Sequence, residues 1–150
     1  MIISFCGHST YVSNEQDKKK ILEILENLGK NEHIDFYLGG YGNFDSFARQ
    51  CAKEYQKSHP DSKLYFITPY LEDNYSKLDY TKDLYDGSIY PELENVPKRF
   101  AISKRNEWIV NHSDYIIAYI SHTFGGAYKT VYYAKKHNKP FTNIYGEIEL

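Results

Sequence analysis

Gly39, Gly40 and Gly42 crowd into the stretch FYLGGYGNFDSFARQ, and Gly125 with Gly126 forms a second doublet in YIIAYISHTFGGAYKT. Each cluster follows an apolar run and precedes a helical pattern. A strand-to-helix turn built from glycine exposes backbone N–H groups, and the helix that follows adds its positive end. Together these make a site for phosphate. A glycine can also do no more than close a tight turn, and one corner alone leaves both readings open. Neither corner spells GxxxxGK[ST] or GxGxxG.

Other polar residues fall near the same strand ends. Asn43, Phe44 and Asp45 open the helix after the first corner, where Asp45 can either cap that helix or take a ribose hydroxyl. Gly7, His8 and Ser9 close the first apolar run, and Ser121 and His122 close the run before the second corner. Lys104, Arg105 and Asn106 lie on a helix before that run, where an arginine can grip phosphate bidentately. Lys129 sits in the helix after the second corner. If the site is catalytic, Asp45 and Glu107 are the carboxylates able to stabilise an oxocarbenium-like state, with His8 or His122 as proton donor. The spacing shows no HExxH, no Cys/His cluster and no GxSxG elbow, so neither a metal nor a cofactor is expected.

These residues need a scaffold that gathers strand ends. Apolar runs and helical stripes alternate along the 150 residues. Strands are expected at MIISFCG, HIDFYL, KLYFITPY, DYIIAYI and FTNIY. Helices are expected from a Ser13–Gln16 capping box to Leu28, across Phe44, Phe47, Ala48, Cys51, Ala52 and Tyr55, and over AISKRNEWIVNHS and GGAYKTVYYAKKHN. Alternation of this kind predicts a single α/β domain over residues 1–150: a Rossmann-like three-layer sandwich with a mainly parallel sheet of about five strands. Ligands of such sheets sit beyond the carboxyl ends of the strands. Residues 70–98 read as a long irregular connection, and a tyrosine from residues 70–90 can stack on a base.

Composition narrows the partners. The start of the chain is not read as a signal peptide and no run is long enough to span a membrane, so the expected location is cytoplasmic with no membrane partner. Cys6 and Cys51 read as free buried thiols. Net charge is −2, with 18 Lys+Arg against 20 Asp+Glu. That gives no global pull toward nucleic acid, which is taken as an unlikely partner. Sixteen tyrosines fit a buried interface between copies of the chain.

The segments GGYGNFDSFARQCA and ISKRNEWIVNHSDYIIAYISHTFGGAYKTVYYAKKHNKP resemble the SLOG superfamily, and within it the DUF1273 branch of small bacterial and phage proteins. The superfamily joins the DprA/Smf DNA-processing proteins, the LOG phosphoribohydrolases and nucleotide-sensing domains of bacterial defence proteins. The resemblance implies a Rossmann-like fold that binds nucleotides or NAD- and ADP-ribose-type signals at the glycine corners, and a homo-oligomer, dimer or tetramer. Compared with LOG enzymes, the first glycine turn corresponds to Gly39, Gly40 and Gly42, and their Arg-Lys pair to Arg105 and Asn106. In their PGGxGTxxE motif Gly125 and Gly126 are kept. Phe124 replaces the proline, Tyr128 the third glycine and Lys129 the threonine, and the glutamates fall on Val131 and Tyr132. The expected function is therefore sensing or sequestering a nucleotide-derived signal. An N-glycosidase acting on a nucleoside 5′-monophosphate is the alternative, and a DprA-like role on DNA is the weaker third.

Overall fold

The computed structural model describes residues 1–71 and 84–150. Its elements run β1 (Ile2–Gly7), α1 (Glu15–Leu28), β2 (Asp35–Leu38), α2 (Asn43–Ser58), β3 (Leu64–Ile67), β4 (Gly87–Ile89), a 3-10 turn (Lys98–Phe100), α3 (Ala101–Asn111), β5 (Tyr115–Tyr119), α4 (Gly125–Lys136) and β6 (Phe141–Asn143). One parallel sheet carries the strands in the order β4-β3-β2-β1-β5-β6. The predicted α/β class holds, with six strands rather than about five. The added strand, β4, is three residues long, Gly-Ser-Ile, too short to show a period of two.

Side-chain alternation along β1 builds the two core layers. Ile3 and Phe5 face α1 and α2, in a cluster with Ile21, Leu25, Phe44 and Ala48. Ser4 and Cys6 face α3 and α4. The Ser113 hydroxyl donates to Ser4 Oγ at 2.8 Å, and the Cys6 thiol donates to the Ala127 carbonyl at 3.3 Å. The predicted α2 stripe, Phe44, Phe47, Ala48, Cys51, Ala52 and Tyr55, is buried throughout. Ile21 and Leu25 of α1 are also fully buried, and each such side chain contributes roughly 1.5–3 kcal/mol.

Helix α1 starts one residue later than its capping box predicts. Asn14 is the N-cap, and its Oδ1 accepts the Asp17 N–H at 2.8 Å. The Asp17 carboxylate is held in turn by Asn14 Nδ2 and the Tyr11 hydroxyl, each at 2.8 Å. Asparagine caps at least as well as serine, and the Tyr11 bond fixes the register. Among the described residues no helix is long and apolar enough to cross a membrane.

Strand order reverses between β1 and β5. The chain builds outward from β1 to β4, then returns to pair β5 on the other side of β1, with Gly7 opposite Tyr119 at their shared carboxyl end. A crevice opens at such a reversal because the connections leave toward opposite faces.

Candidate functional site

A cavity of about 570 Å³ occupies that crevice. Gly7, His8, Ser9 and Thr10 reach it from the end of β1. Gly39, Tyr41 and Asp45 come from the first glycine corner, Arg105 and Asn106 from α3, and His122, Phe124, Gly125 and Gly126 from the second corner. Ile102, Ile109, Val110 and Ile116 give it an apolar wall. A largely apolar pocket with a few convergent polar groups is the usual form of a small-molecule site.

The two glycine corners differ physically. Gly40 has φ +74°, and a Cβ there would lie 2.4 Å from the Phe66 ring. A Cβ on Gly42 would meet the Ser9 backbone at 2.9 Å, and one on Gly7 would overlap the Phe44 ring at 2.3 Å. These glycines allow close packing. At the second corner nothing lies within 4 Å of a Cβ on Gly125 or Gly126, although Gly125 still needs its φ of +90°. Phe124 is the N-cap of α4 and supplies no side-chain cap, so the first N–H groups of the helix stand uncapped beside the cavity.

Arg105 is 2% exposed. One terminal nitrogen, Nη1, donates to the carbonyls of Gly39 at 2.8 Å and Ile67 at 2.6 Å, and Nε donates to Asn106 Oδ1 at 3.0 Å. The residue therefore ties the ends of β2 and β3 to α3. Asp45 lies beside it, its Oδ2 accepting the Tyr41 N–H at 3.0 Å. Burial of its carboxyl raises its pKa to about 6, against the Tyr41 hydrogen bond and the Arg105 charge, which both pull it down. A carboxyl so placed exchanges its proton near neutrality.

His8 is buried, and its Nε2 accepts the Ser121 N–H at 2.9 Å. The proton of the neutral ring is therefore on Nδ1. The His122 ring stacks on it at 3.7 Å and 13°. Burial, and then the neighbouring His122, lower the His8 pKa. Burial also raises the Cys6 thiol far above its ordinary value, so it stays protonated.

Of the residues singled out in the sequence, Gly7, His8, Ser9, Gly39, Asp45, Arg105, Asn106, His122, Gly125 and Gly126 come together on this cavity. Gly40, Gly42, Asn43, Phe44, Ser121 and Lys129 lie outside its lining. Phe44 is fully buried beneath Gly7, and Ser121 acts through its N–H on His8. Glu107 is also outside the lining, within 3.3 Å of Lys104. Among the tyrosines expected to stack on a base, Tyr75 and Tyr80 lie outside the described residues, and Tyr70, Tyr85 and Tyr90 do not line the cavity. The sequence pattern does not single out Thr10, Tyr41, Thr130 or the isoleucine wall, and marks Phe124 only as a replaced proline. The wall had a signal: Ile102 and Ile109 flank Arg105 at helical spacing.

No family model matches the chain. The SPbeta prophage-derived protein YoqJ of Bacillus subtilis, described as uncharacterized, is 29% identical over 140 residues, covering 79% of this chain and 80% of that one. Three solved structures share the fold at low identity. DNA processing protein A (DprA) of Helicobacter pylori, described for its single-stranded DNA binding mode, superposes with a TM-score of 0.63 at 16% identity over 94% of this chain. DprA of Streptococcus pneumoniae gives 0.61 at 16% over 93%. The Moco carrier protein of Chlamydomonas gives 0.52 at 17% over 93% and 72% of its own length. The chain spans 63% and 48% of the two DprA chains.

The DprA likeness corrects one expectation. A net charge of −2 argues against nucleic acid, but the Helicobacter protein of this fold is described for its single-stranded DNA binding mode. Net charge averages over a whole surface, whereas phosphate is met locally, by N–H groups and single cations at one edge. The chain has the Rossmann-like α/β fold that these DprA structures share.

Proposed function

We propose that this protein binds a nucleotide or a nucleotide-derived signal in the crevice between β1 and β5, as a sensor or a sequestering protein. The observation that carries the reading is the cavity of about 570 Å³ where strand order reverses, with the uncapped start of α4 on its rim. Phosphate would meet the N–H groups at Gly125 and Gly126, and Asp45 would face a ribose hydroxyl. Arg105 would act chiefly by fixing Gly39 and Ile67, since its Nη1 is already engaged. On this reading the chain stands with the DUF1273-like SLOG proteins, and the prophage-derived relative fits a sequestering role.

The buried carboxyl of Asp45 favours a second reading, cleavage of an N-glycosidic bond. A carboxylate that titrates near pH 6 inside the cavity can stabilise positive charge at an anomeric carbon. Asp45 would carry that reading alone, because Glu107 lies outside the cavity lining.

A thermal-shift panel tests both readings, using nucleoside monophosphates, NAD, ADP-ribose, its cyclic isomers and a single-stranded oligonucleotide, with chromatography of each mixture. A shift with the ligand recovered intact supports binding. Free base with ribose phosphate supports cleavage and overturns the sensor. A shift with the oligonucleotide alone moves the function to DNA.

A further inference from the structure

Phe124 is an unusual residue to begin a helix at a cavity rim. It supplies no cap to α4, and its side chain is 68% exposed. It is not loosely held, however. Its ring lies 3.8 Å from His122 at 39°, and His122 lies 3.7 Å from His8 at 13°. His8 is fixed by the Ser121 N–H and meets Tyr119 edge-on at 6.4 Å. Three rings thus form a column, anchored in the protein at His8 and ending at solvent with Phe124. The column ends next to Gly125 and Gly126, where the space is open.

Resting on the nucleotide reading above, we propose that Phe124 is the platform on which the base of the ligand stacks, with His122 and His8 holding the platform in place. An aromatic ring stacks on a base without reading its hydrogen-bonding edge, so the preference is for a base-bearing ligand over a bare sugar phosphate. The histidine backing matters because a pre-set ring does not have to be ordered on binding. The acceptor role of His8 Nε2 requires that ring to be neutral, so it adds no charge to the column.

The experiment compares binding of AMP, ADP-ribose and ribose 5-phosphate to the wild-type chain, Phe124→Ala and Phe124→Trp, with thermal unfolding as the folding control. Because Phe124 is exposed, both variants should unfold as the wild type does. The expected result is a roughly ten- to hundredfold loss of AMP and ADP-ribose affinity in Phe124→Ala. Affinity for ribose 5-phosphate should be unchanged, and Phe124→Trp should recover the base-bearing ligands. Wild-type affinity for AMP in Phe124→Ala overturns the platform and leaves the nucleotide reading standing. An equal loss for all three probes also overturns it, since the base would then not be what Phe124 reads. Failure of the wild-type chain to bind either base-bearing probe overturns the platform and the nucleotide reading together.

Discussion

Asp45 and Arg105 face one another across the side chain that Gly39 lacks. A Cβ on Gly39 would lie 3.0 Å from Asp45 Oδ2 and 3.4 Å from Nη2 of Arg105. The end of β2 is thus bare where the Asp45 carboxylate and the buried Arg105 guanidinium approach. Gly39→Ala should wedge them apart and cost about 1–3 kcal/mol, read by urea denaturation. Its binding loss should exceed that of an alanine at exposed Gly126.

The carboxyl of Asp45 carries a stability penalty with a definite sign. Its native pKa is raised from 3.8 to about 6, so the native state holds the proton more tightly than the unfolded chain does. Stability from the neutral carboxyl is complete below the unfolded value and is lost as pH rises toward about 6. Asn imitates the neutral acid. Asp45→Asn should match the wild type at pH 4 and exceed it by about 1–3 kcal/mol at pH 8. Equal stabilities at both pH values would contradict the burial argument. A residue that weakens the fold at neutral pH is the pattern of a group kept for function.

His8 behaves in the opposite sense. Its pKa is lowered by burial and by His122, so protonation opposes the folded state. Its contribution is intact above the unfolded value near 6.5 and is lost as pH falls below it. Nitrogen-15 NMR of the imidazoles should find the His8 proton on Nδ1 and an apparent pKa below 6.5. A proton on Nε2 of the neutral ring would contradict the Ser121 hydrogen bond.

Arg105→Lys should not be conservative. A lysine carries one nitrogen and cannot hold Gly39, Ile67 and Asn106 together, as Nη1 and Nε of the guanidinium do. Leaving a buried carbonyl unpaired costs about 1–3 kcal/mol. Arg105→Met should cost at least as much, because both carbonyls lose their donor, and urea midpoints would order the three proteins.

Much of the fold was legible because apolar periodicity is a local property. The α2 stripe from Phe44 to Tyr55 was readable as a buried face, and it is one. β4 was not, since three residues carry no period and only pairing with β3 makes them a strand. The candidate site was legible as a set of strand ends, because parallel sheets gather carboxyl ends. What each glycine does was not legible. Gly40 and Gly125 look alike in sequence, yet one lies against Phe66 and the other in open space. The role of Arg105 depends on two carbonyls that lie 66 and 38 residues away in the chain. Phe124 drew notice only as a replaced proline, because its ring column depends on β1 and β5 being neighbours.

Nucleotide binding in the crevice between β1 and β5 is tested most directly by a calorimetric titration of the wild-type chain and of Gly126→Trp with AMP and ADP-ribose. The space at Gly126 is open, so the indole should fill the cavity mouth while the unfolding temperature stays at the wild-type value. Saturable binding of at least one of these ligands to the wild type, and none to Gly126→Trp, is the expected result. Undiminished binding to Gly126→Trp, or no heat from the wild type with either ligand, would contradict it.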